Sequence, residues 1–296
     1  MDTFYAQLRA ELEIKLSFLE DKPEETVDST IKALWQKAYG FSMSAEEASK
    51  LPLPELSDQQ KVLLSELTSQ RIMGKPLAYI VGRQKFMGIE LICDTRALIP
   101  RKETEILGRK ALAICEDLTK KKSEVKVFDV CCGSGNLAIA LAFSLSNVIV
   151  HASDLSREAV ALTNENISLL QLNARVKAII SDLFSSFESE DYYGNVDIIV
   201  CNPPYISTSK INKMDFEISE NEPLMAFDGG MVGLKVIQNL IREAPKFLSK
   251  NGWIVFEVGL GQGPFIIQLC EKSDLYKEIE PVTDAAGNIR VIAARC

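Results

Sequence analysis

The stretch Asp129-Val130-Cys131-Cys132-Gly133-Ser134-Gly135-Asn136 decides the fold. Its first residues complete a short apolar run, and its last residue opens a segment of helical spacing. A Gly-x-Gly turn between a strand and a helix permits a tight bend and lets a ligand approach the backbone closely. The same turn also serves only to pack a strand against a helix. It therefore indicates a βα unit without deciding whether a ligand binds there.

Short runs rich in valine and isoleucine alternate with helical patterns around this unit. The runs lie at 127–131, 148–152, 176–181, 196–201 and 253–258. Because each run is almost continuously apolar, each is expected to be buried on both faces of a sheet. The alternation predicts an α/β fold with a doubly wound, mostly parallel sheet, whose ligand lies at the carboxyl ends of the strands.

The chain before this region has a helical pattern. Residues 1–76 carry apolar side chains at spacings of three and four, as at Leu8 and Leu12, and Ser57 with Gln60 forms a capping-box signature. This region is predicted to be a small helical bundle.

Residues 77–98 change character. Short β-like pieces at 79–82 and 86–91 are punctuated by glycine, so this segment is predicted to connect the bundle to an α/β domain at 99–296.

Composition excludes several classes of protein. The net charge is −8, from 33 basic and 41 acidic side chains, and this balance argues against a broad nucleic-acid-binding surface. The N-terminus lacks the basic and apolar pattern of a secretory signal, and no apolar run reaches the ~20 residues of a spanning helix. Seven scattered cysteines and one histidine do not form a zinc motif. We expect a cytoplasmic protein without a metal site or a membrane segment.

Three successive strand ends carry glycine or acid. After the Gly133 loop, the second strand ends at Asp154, and the third ends at Asp182-Leu183-Phe184. A carboxylate at the second tip suits the two hydroxyls of a ribose, and the acid with the apolar pair at the third suits the border of an adenine. Together these tips predict a nucleoside site.

The choice of cofactor rests on the loop itself. The loop lacks the full Gly-x-Gly-x-x-Gly dinucleotide pattern, and Asp129 would repel a pyrophosphate while suiting the cationic amino group of a methionine moiety. The sequence therefore predicts S-adenosylmethionine, with S-adenosylhomocysteine as the product.

The fourth strand continues directly into Asn202-Pro203-Pro204-Tyr205. Because Pro203 lacks an N–H, its neighbourhood offers carbonyl acceptors, which suit an NH₂ group. Asn202 can accept one amide hydrogen through its side-chain oxygen, the Pro203 carbonyl can accept the other, and Tyr205 can stack on the planar group. Asn202, Pro203 and Tyr205 are the candidate catalytic residues for methylation of a planar amide or amino nitrogen. His151 is not needed as a base and is interpreted as structural.

Several segments, in the same order, resemble the release-factor glutamine methyltransferases of the HemK/PrmC type. They lie at 71–82, 99–105, around Gly133, at 202–205, at 222–224 and at 284–290. The resemblance covers essentially the whole chain.

This resemblance implies a helical N-terminal domain, a β-hairpin linker, and a Rossmann-like domain with an antiparallel last strand. It implies as substrate the glutamine of the Gly-Gly-Gln motif in peptide chain release factors, gripped in part by the helical domain. The implied cofactor contacts are Cys131, Cys132, Gly133, Ser134, Gly135, Asp154, Leu183 and Asn202. Residues 202–205, Pro204 included, are implied to contact the glutamine. We expect a monomer.

Two residues depart from the family pattern. Cys131 stands where the family usually has glycine, and Leu183 stands where an aromatic residue is common. Neither change removes a charge or a hydrogen bond, so altered affinity is expected rather than lost activity. Arg101 and Thr104 lie in a segment that could close over the cofactor, although a helix N-cap accounts equally well for Thr104.

Two other functions are compatible with parts of this pattern. One is a nucleic-acid adenine or cytosine amino methyltransferase. Such an enzyme also has to methylate a planar NH₂ group, because the exocyclic NH₂ of a base resembles an amide. Such an enzyme would be expected to carry a basic face or an added recognition domain. A binding protein with a degenerate methyltransferase fold is the other alternative, and the intact acids, glycines and Asn202 argue against it.

Overall fold

The computed structural model describes residues 2–19, 21–211 and 216–296. Tertiary contacts divide the chain into two compact units. The first comprises Met1–Thr95, Ile99–Lys102 and Asp215–Glu222, and the second comprises Arg96–Leu98, Glu103–Met214 and Pro223–Cys296. The three-part division of the sequence, with boundaries after residues 76 and 98, stays a prediction.

Helices predominate before the hairpin, and helices and strands are interspersed after it. Up to the hairpin the elements are α1 (Asp2–Lys15), α2 (Val27–Tyr39), α3 (Ala45–Ala48), α4 (Asp58–Ile72), α5 (Leu77–Val81), β1 (Arg83–Phe86) and β2 (Ile89–Ile92). Then come α6 (Thr104–Thr119), β3 (Val125–Val130), α7 (Asn136–Ser144), β4 (Val148–Asp154), α8 (Arg157–Leu169), β5 (Val176–Ile180) and β6 (Val196–Cys201). The chain continues through α9 (Thr208–Ile211), α10 (Phe216–Ser219), α11 (Lys235–Phe247), β7 (Leu248–Glu257), α12 (Gly263–Lys272), β8 (Glu278–Thr283) and β9 (Ile289–Arg295).

The helices of the first unit begin where local side chains cap them. At the start of α4, the Ser57 hydroxyl accepts from the Gln60 N–H at 3.3 Å, and the Gln60 side chain accepts from the Ser57 N–H at 2.9 Å. This reciprocal pair satisfies two backbone donors that the helix leaves unpaired. The predicted capping box is confirmed. Apolar residues of α1, α2 and α4, among them Leu12, Leu34 and Leu64, form the core of this unit.

The β-like piece predicted at 79–82 is wrong, because these residues belong to the short helix α5. Pro76 precedes the helix, and Gly82 ends it with a φ of 77°, donating its N–H to the Ala78 carbonyl at 2.8 Å. All five residues of α5 are buried. Burial and these end signals outweigh the β propensity of Tyr, Ile and Val. The antiparallel hairpin of β1 and β2 follows directly.

The first unit also buries a cluster of charges. Arg71 pairs with Glu25 at 2.9 Å and with Glu217, and Lys22 pairs with Glu217 at 2.7 Å. Burial opposes ionisation, but Lys22 and Arg71 together hold the pKa of Glu217 below its ordinary value. The cluster therefore links α4 and α10 to the segment between α1 and α2 through mutually neutralised charges.

A seven-stranded sheet forms the centre of the second unit, in the order β5-β4-β3-β6-β7-β9-β8. The strands from β5 to β7 pair in parallel, whereas β9 is antiparallel to both β7 and β8. Every residue of β6 is buried, as expected for a strand covered on both faces. The predicted fold class, including the antiparallel strand near the end of the chain, is confirmed.

The aromatic core of this unit contains His151. Its ring lies 5.2 Å from that of Tyr192 and 6.0 Å from that of Phe128, and burial lowers its pKa. This packing is consistent with a structural role. In the part of the chain that the structure describes, no helix combines the length and apolarity that a membrane crossing requires.

Candidate active site

The parallel strands bring the sequence-predicted residues to one edge of the sheet. Val130 is in register with Ser153 on β4 and with Cys201 on β6, and Cys201 is in register with Phe256 on β7. Neighbouring strands lie about 4.8 Å apart. The carboxyl ends of β4, β3, β6 and β7, with the residues that directly follow them, therefore form a continuous row. This row carries Asp154, the loop at 131–135, residues 202–205 and Glu257.

Side chains of α8 hold the glycine loop through hydrogen bonds to its backbone carbonyls. The Thr163 hydroxyl donates to the Gly133 carbonyl at 2.8 Å, and the Asn166 side chain donates to the Ser134 carbonyl at 3.1 Å. A side chain on Gly135 would meet Thr163 at 2.6 Å, so glycine is required there for close helix packing. Beside Gly133, in contrast, no atom lies within 4 Å of the position that a Cβ would take. The loop thus packs on one side and borders open space on the other.

Asp129 is fully buried at the base of the loop. One of its oxygens accepts the Ala138 N–H at 2.9 Å, while the other, Oδ1, has no partner among the described residues. Burial raises the pKa of this carboxyl to about 8. Near neutral pH the group therefore holds a proton unless a positive charge comes within reach. An unsatisfied buried acceptor beside the loop fits the predicted amino group of a methionine moiety.

Asp154 lies at the end of β4 and is positioned by the backbone. Its two oxygens accept N–H groups of Gly133 and Ser156, each at 2.9 Å. Burial raises the pKa of this carboxyl. A carboxylate oxygen has further lone pairs, so these bonds orient the group without exhausting its acceptors.

Two site positions adopt backbone conformations that ordinary side chains avoid. Cys131 has a φ of 61°, and Leu183 has a φ of 45°. These are the two residues that depart from the family pattern. Non-glycine residues at positive φ cost energy and persist only where the surroundings hold them, often at functional sites. Glycine at residue 131 would adopt this conformation without that cost.

The other predicted contacts lie around these groups. Cys132 is buried, with its sulfur 3.7 Å from the Thr163 hydroxyl, and burial raises its pKa. The Ser134 side chain is buried too. Asp182 is exposed, Leu183 is buried, and Phe184 is stacked on Phe247 within the core. Phe184 therefore belongs to the aromatic core of this unit.

Asn202 and Tyr205 join one partly buried hydrogen-bond network. The Asn202 NH₂ group donates to the Thr104 hydroxyl at 3.2 Å, which donates to Glu257 at 2.8 Å. The Tyr205 hydroxyl donates to the other oxygen of Glu257 at 2.9 Å. Pro203 is buried between the two networked residues in the chain. The network fixes both side chains that the sequence predicts to contact an NH₂ group.

The N-cap interpretation of Thr104 is wrong. Thr104 is the first residue of α6, and its hydroxyl bonds to Glu257 rather than to a backbone N–H of its own helix. Arg101 belongs to the first unit, where it pairs with Glu222 and, at 3.2 Å, with Asp21. Its charge is thus neutralised within that unit.

Sequence reasoning missed two residues of this site. Glu257 is fully buried at the end of β7, and Gln262 donates from its side chain to the Tyr205 carbonyl at 2.9 Å. A signal for Glu257 existed, because an acid at the carboxyl end of an apolar strand is the pattern that drew attention to Asp154. No comparable signal marked Gln262, since its contact forms only in the folded chain.

Comparisons with known proteins indicate the class of protein. The methyltransferase small domain family matches residues 108–221. The chain is 31% identical over 292 residues to the release factor glutamine methyltransferase of Rhodopirellula baltica, covering 99% of this chain and 97% of that protein. It is 34% identical over 241 residues to the Lactococcus lactis enzyme of the same name, covering 81% of this chain and 85% of that one.

Solved structures show the same fold at low sequence identity. The catalytic domain of human Mettl16, in complex with hairpin 6 of the MAT2A 3'UTR, matches with a TM-score of 0.55 and 13% identity, covering 77% of this chain and 81% of that chain. A human methyltransferase 10 domain containing protein matches with a TM-score of 0.50 and 17% identity, covering 78% of this chain and 96% of that chain. These likenesses concern the fold alone.

A glycine loop after β3, an acid at the tip of β4 and a proline-rich turn after β6 occur here in a domain of methyltransferase topology. The protein is an S-adenosylmethionine-dependent methyltransferase. More particularly, the chain belongs to the family of release factor glutamine methyltransferases.

Proposed function

We propose that this enzyme transfers a methyl group from S-adenosylmethionine to the side-chain amide nitrogen, N5, of the glutamine in the Gly-Gly-Gln motif of peptide chain release factors. By this reaction it would affect translation termination. The observation that carries the proposal is the fixed Asn202 side chain, whose NH₂ group is bound to Thr104 and whose oxygen is therefore the group left for a substrate. Family membership supports the choice of substrate.

The chemistry of an amide explains why acceptors matter. The nitrogen lone pair is delocalised, and a side chain of ordinary pKa cannot deprotonate the group. The Asn202 oxygen and the Pro203 carbonyl would each accept one hydrogen of the NH₂ group, which favours the form with more lone-pair character on nitrogen. Holding the reacting nitrogen in line for methyl transfer then supplies much of the rate. Tyr205 would stack on the amide plane, and Pro204 would line the same site.

The cofactor would be held by the row of strand ends. The residues assigned to it are Asp129, Cys131, Cys132, Gly133, Ser134, Gly135, Asp154, Asp182, Leu183 and Asn202. When bound, S-adenosylmethionine supplies an electrophilic methyl group on a positively charged sulfur. In this assignment Asp129 faces the amino group and Asp154 binds the ribose hydroxyls, which suits their acceptor character.

The helical N-terminal region would help to grip the release factor, as in the family that the chain belongs to. The seven cysteines are all free thiols, which suits a reducing compartment, and we place the reaction in the cytoplasm.

The test is a methyl-transfer assay with labelled S-adenosylmethionine. The acceptors offered in parallel are a purified unmodified release factor, its Gly-Gly-Gln→Gly-Gly-Ala variant, and unmethylated DNA and RNA. We expect label on the wild-type release factor alone. Label on nucleic acid would replace the proposal with a base methyltransferase, and cofactor binding without any labelled acceptor would refute the proposed substrate.

A further inference from the structure

Glu257 is a buried carboxylate at the end of β7, hydrogen-bonded directly to Tyr205 and, through Thr104, linked to Asn202. It accepts one hydrogen bond from the Tyr205 hydroxyl and one from the Thr104 hydroxyl. Thr104 in turn accepts from Asn202. All four residues lie in the second unit, at the start of α6, on the loop after β6 and at the end of β7.

The donor and acceptor inventory allows only one direction for this chain of bonds. An ionised carboxylate can only accept, so the single hydroxyl hydrogen of Thr104 is committed to Glu257. The Thr104 oxygen can then only accept, and the group that Asn202 turns toward it must be the NH₂ group. The Asn202 oxygen consequently points the other way.

We infer that Glu257 is a positioning residue, which acts through Thr104 to set the orientation of the Asn202 amide so that its oxygen is presented to the substrate. This inference rests on the proposed function, because orientation matters only if an NH₂ group is the acceptor. With the opposite orientation, the NH₂ group of Asn202 would face the NH₂ group of the substrate, and two donors would be opposed.

The same carboxylate also holds the aromatic side of the site. While Glu257 fixes the Tyr205 hydroxyl, Gln262 fixes the carbonyl of the same residue at 2.9 Å. A side chain on Gly233 would collide with that carbonyl, so the chain at Gly233 packs directly on the backbone after Pro204. Tyr205 is therefore held at both ends, and the Asn202 and Tyr205 side chains share one anchor.

The charge of Glu257 is part of this arrangement. Burial raises its pKa, while the bonds from Thr104 and Tyr205 and the positive charge of Arg290, 3.8 Å away on β9, act in the opposite direction. Glu103, before α6, adds a like charge that raises the pKa further. A protonated Glu257 becomes a donor and no longer dictates the direction of the Thr104 bond. We therefore expect kcat to fall as pH decreases, with an apparent pKa above that of an ordinary glutamate.

The first variant to test is Glu257→Gln in the full-length enzyme. Its amide oxygen can still accept from Tyr205, but its NH₂ group donates to Thr104, whose hydrogen then points to the Asn202 oxygen. Reversing the Asn202 amide should lower kcat about 100-fold. The dissociation constant of S-adenosylmethionine should change less than about threefold, because no cofactor contact is removed. The acidic limb of the pH profile should disappear.

The second test repeats Glu257→Gln in an enzyme that also carries Asn202→Asp. Both oxygens of a carboxylate accept hydrogen bonds, so the side chain at residue 202 then presents an acceptor to the substrate in either orientation. The loss caused by Glu257→Gln should shrink from about 100-fold in the wild-type background to less than about threefold in the Asn202→Asp background. An equal loss in both backgrounds would overturn the inference, since a merely structural role does not depend on which side chain occupies residue 202.

A matched control is Asp197→Asn, which removes a buried carboxylate from the opposite end of β6, where it accepts the Lys126 N–H at 3.0 Å. This variant should unfold more easily but keep its kcat. If it lost kcat as Glu257→Gln does, general loosening of the fold would explain both. Failure of the wild-type enzyme to methylate any release factor would instead refute the proposed function, which keeps the two failures distinct.

Discussion

The two compact units bury charged side chains in different ways. In the first unit Arg71 and Lys22 neutralise Glu25 and Glu217 through ion pairs of 2.7–2.9 Å and one shorter contact. In the second unit, Glu257 is bound mainly by hydroxyl groups, with the guanidinium of Arg290 at 3.8 Å.

The difference shows what each cluster is able to do. Paired charges satisfy one another and hold helices together, and replacing one partner leaves an uncompensated charge. A carboxylate bound by hydroxyls instead dictates the direction of every hydrogen bond that leads away from it. Asp129 differs from both, because it accepts one backbone N–H and its other oxygen has no partner in the described part of the chain. The first cluster thus stabilises structure, and the second orients acceptors and donors at a proposed site.

The largest expected effect comes from Asn202, at the end of the hydrogen-bond network around Glu257. Asn202→Ala removes the proposed acceptor and should lower kcat at least ~1,000-fold, while cofactor affinity stays within roughly tenfold. Single-turnover kinetics and calorimetry measure the two quantities. The matched control is Asn195→Ala, an exposed asparagine just before β6, which should behave as wild type. Equal loss of binding and turnover would break the assignment of Asn202 to the substrate.

Breaking the charge cluster of the first unit should lower the stability of the fold rather than kcat. Arg71→Met removes the cation that pairs with both Glu25 and Glu217 and should lower the free energy of unfolding by about 3–5 kcal/mol. Denaturant titration measures this loss, with Arg9→Met, which removes an exposed pair with Glu13, as the control. Cofactor affinity of the folded fraction should not change. Unaltered stability would contradict a structural role for the cluster.

Asp154→Ala tests the ribose assignment. Loss of hydrogen bonds to a charged acceptor costs about 1.5–3 kcal/mol, so the cofactor should bind roughly 10- to 100-fold more weakly. Asp284→Ala is the control, because Asp284 also accepts two backbone N–H groups but lies in an exposed turn. Calorimetry that shows the same affinity for Asp154→Ala and wild type would remove Asp154 from the cofactor site.

Asp129 makes cofactor binding depend on pH. Its pKa of about 8 means that the free enzyme holds a proton there near neutral pH, and a cationic amino group near Oδ1 favours the ionised form. Binding should therefore release a proton and tighten by up to about tenfold per pH unit as pH rises toward this pKa. Calorimetry in buffers of different ionisation enthalpy measures the release. Asp129→Asn should abolish it, and proton release that persists in this variant would assign the effect to another group.

The smallest expected effect concerns backbone strain at the loop. Cys131→Gly should raise the free energy of unfolding by about 0.5–1 kcal/mol, because relief of the left-handed conformation exceeds the entropy that glycine adds to the unfolded chain. Cys132→Gly, at a buried position without positive φ, should be destabilising. Destabilisation by both changes would show that packing of the Cys131 thiol outweighs its strain.

The sequence was informative where local signals and burial agree. Val- and Ile-rich runs favour burial on both faces, so the parallel sheet and the alignment of Asp154 with Asn202 at its edge were predictable. The expectation of burial was wrong for β5, which lies at the edge of the sheet and is mostly exposed. The prediction of a β-like piece at 79–82 was wrong, because burial of these residues and the helix stop at Gly82 favour a helix.

The remaining site contacts could not be predicted because they join residues that are far apart in the sequence. Thr104 and Glu257 are distant in sequence, and their hydrogen bond depends on how α6 lies against the end of β7. A threonine at the start of a helix is usually a cap. No local pattern could reveal that its partner here is a carboxylate from another strand.

The most direct test of the central claim locates the methyl group on the acceptor. After incubation with the enzyme and isotope-labelled S-adenosylmethionine, the release factor is digested, its peptides are sequenced by fragmentation mass spectrometry, and the modified peptide is hydrolysed in acid. The account predicts a single labelled residue, the glutamine of Gly-Gly-Gln, that releases methylamine on hydrolysis. Label on another residue, or release of methanol from an ester, would contradict it.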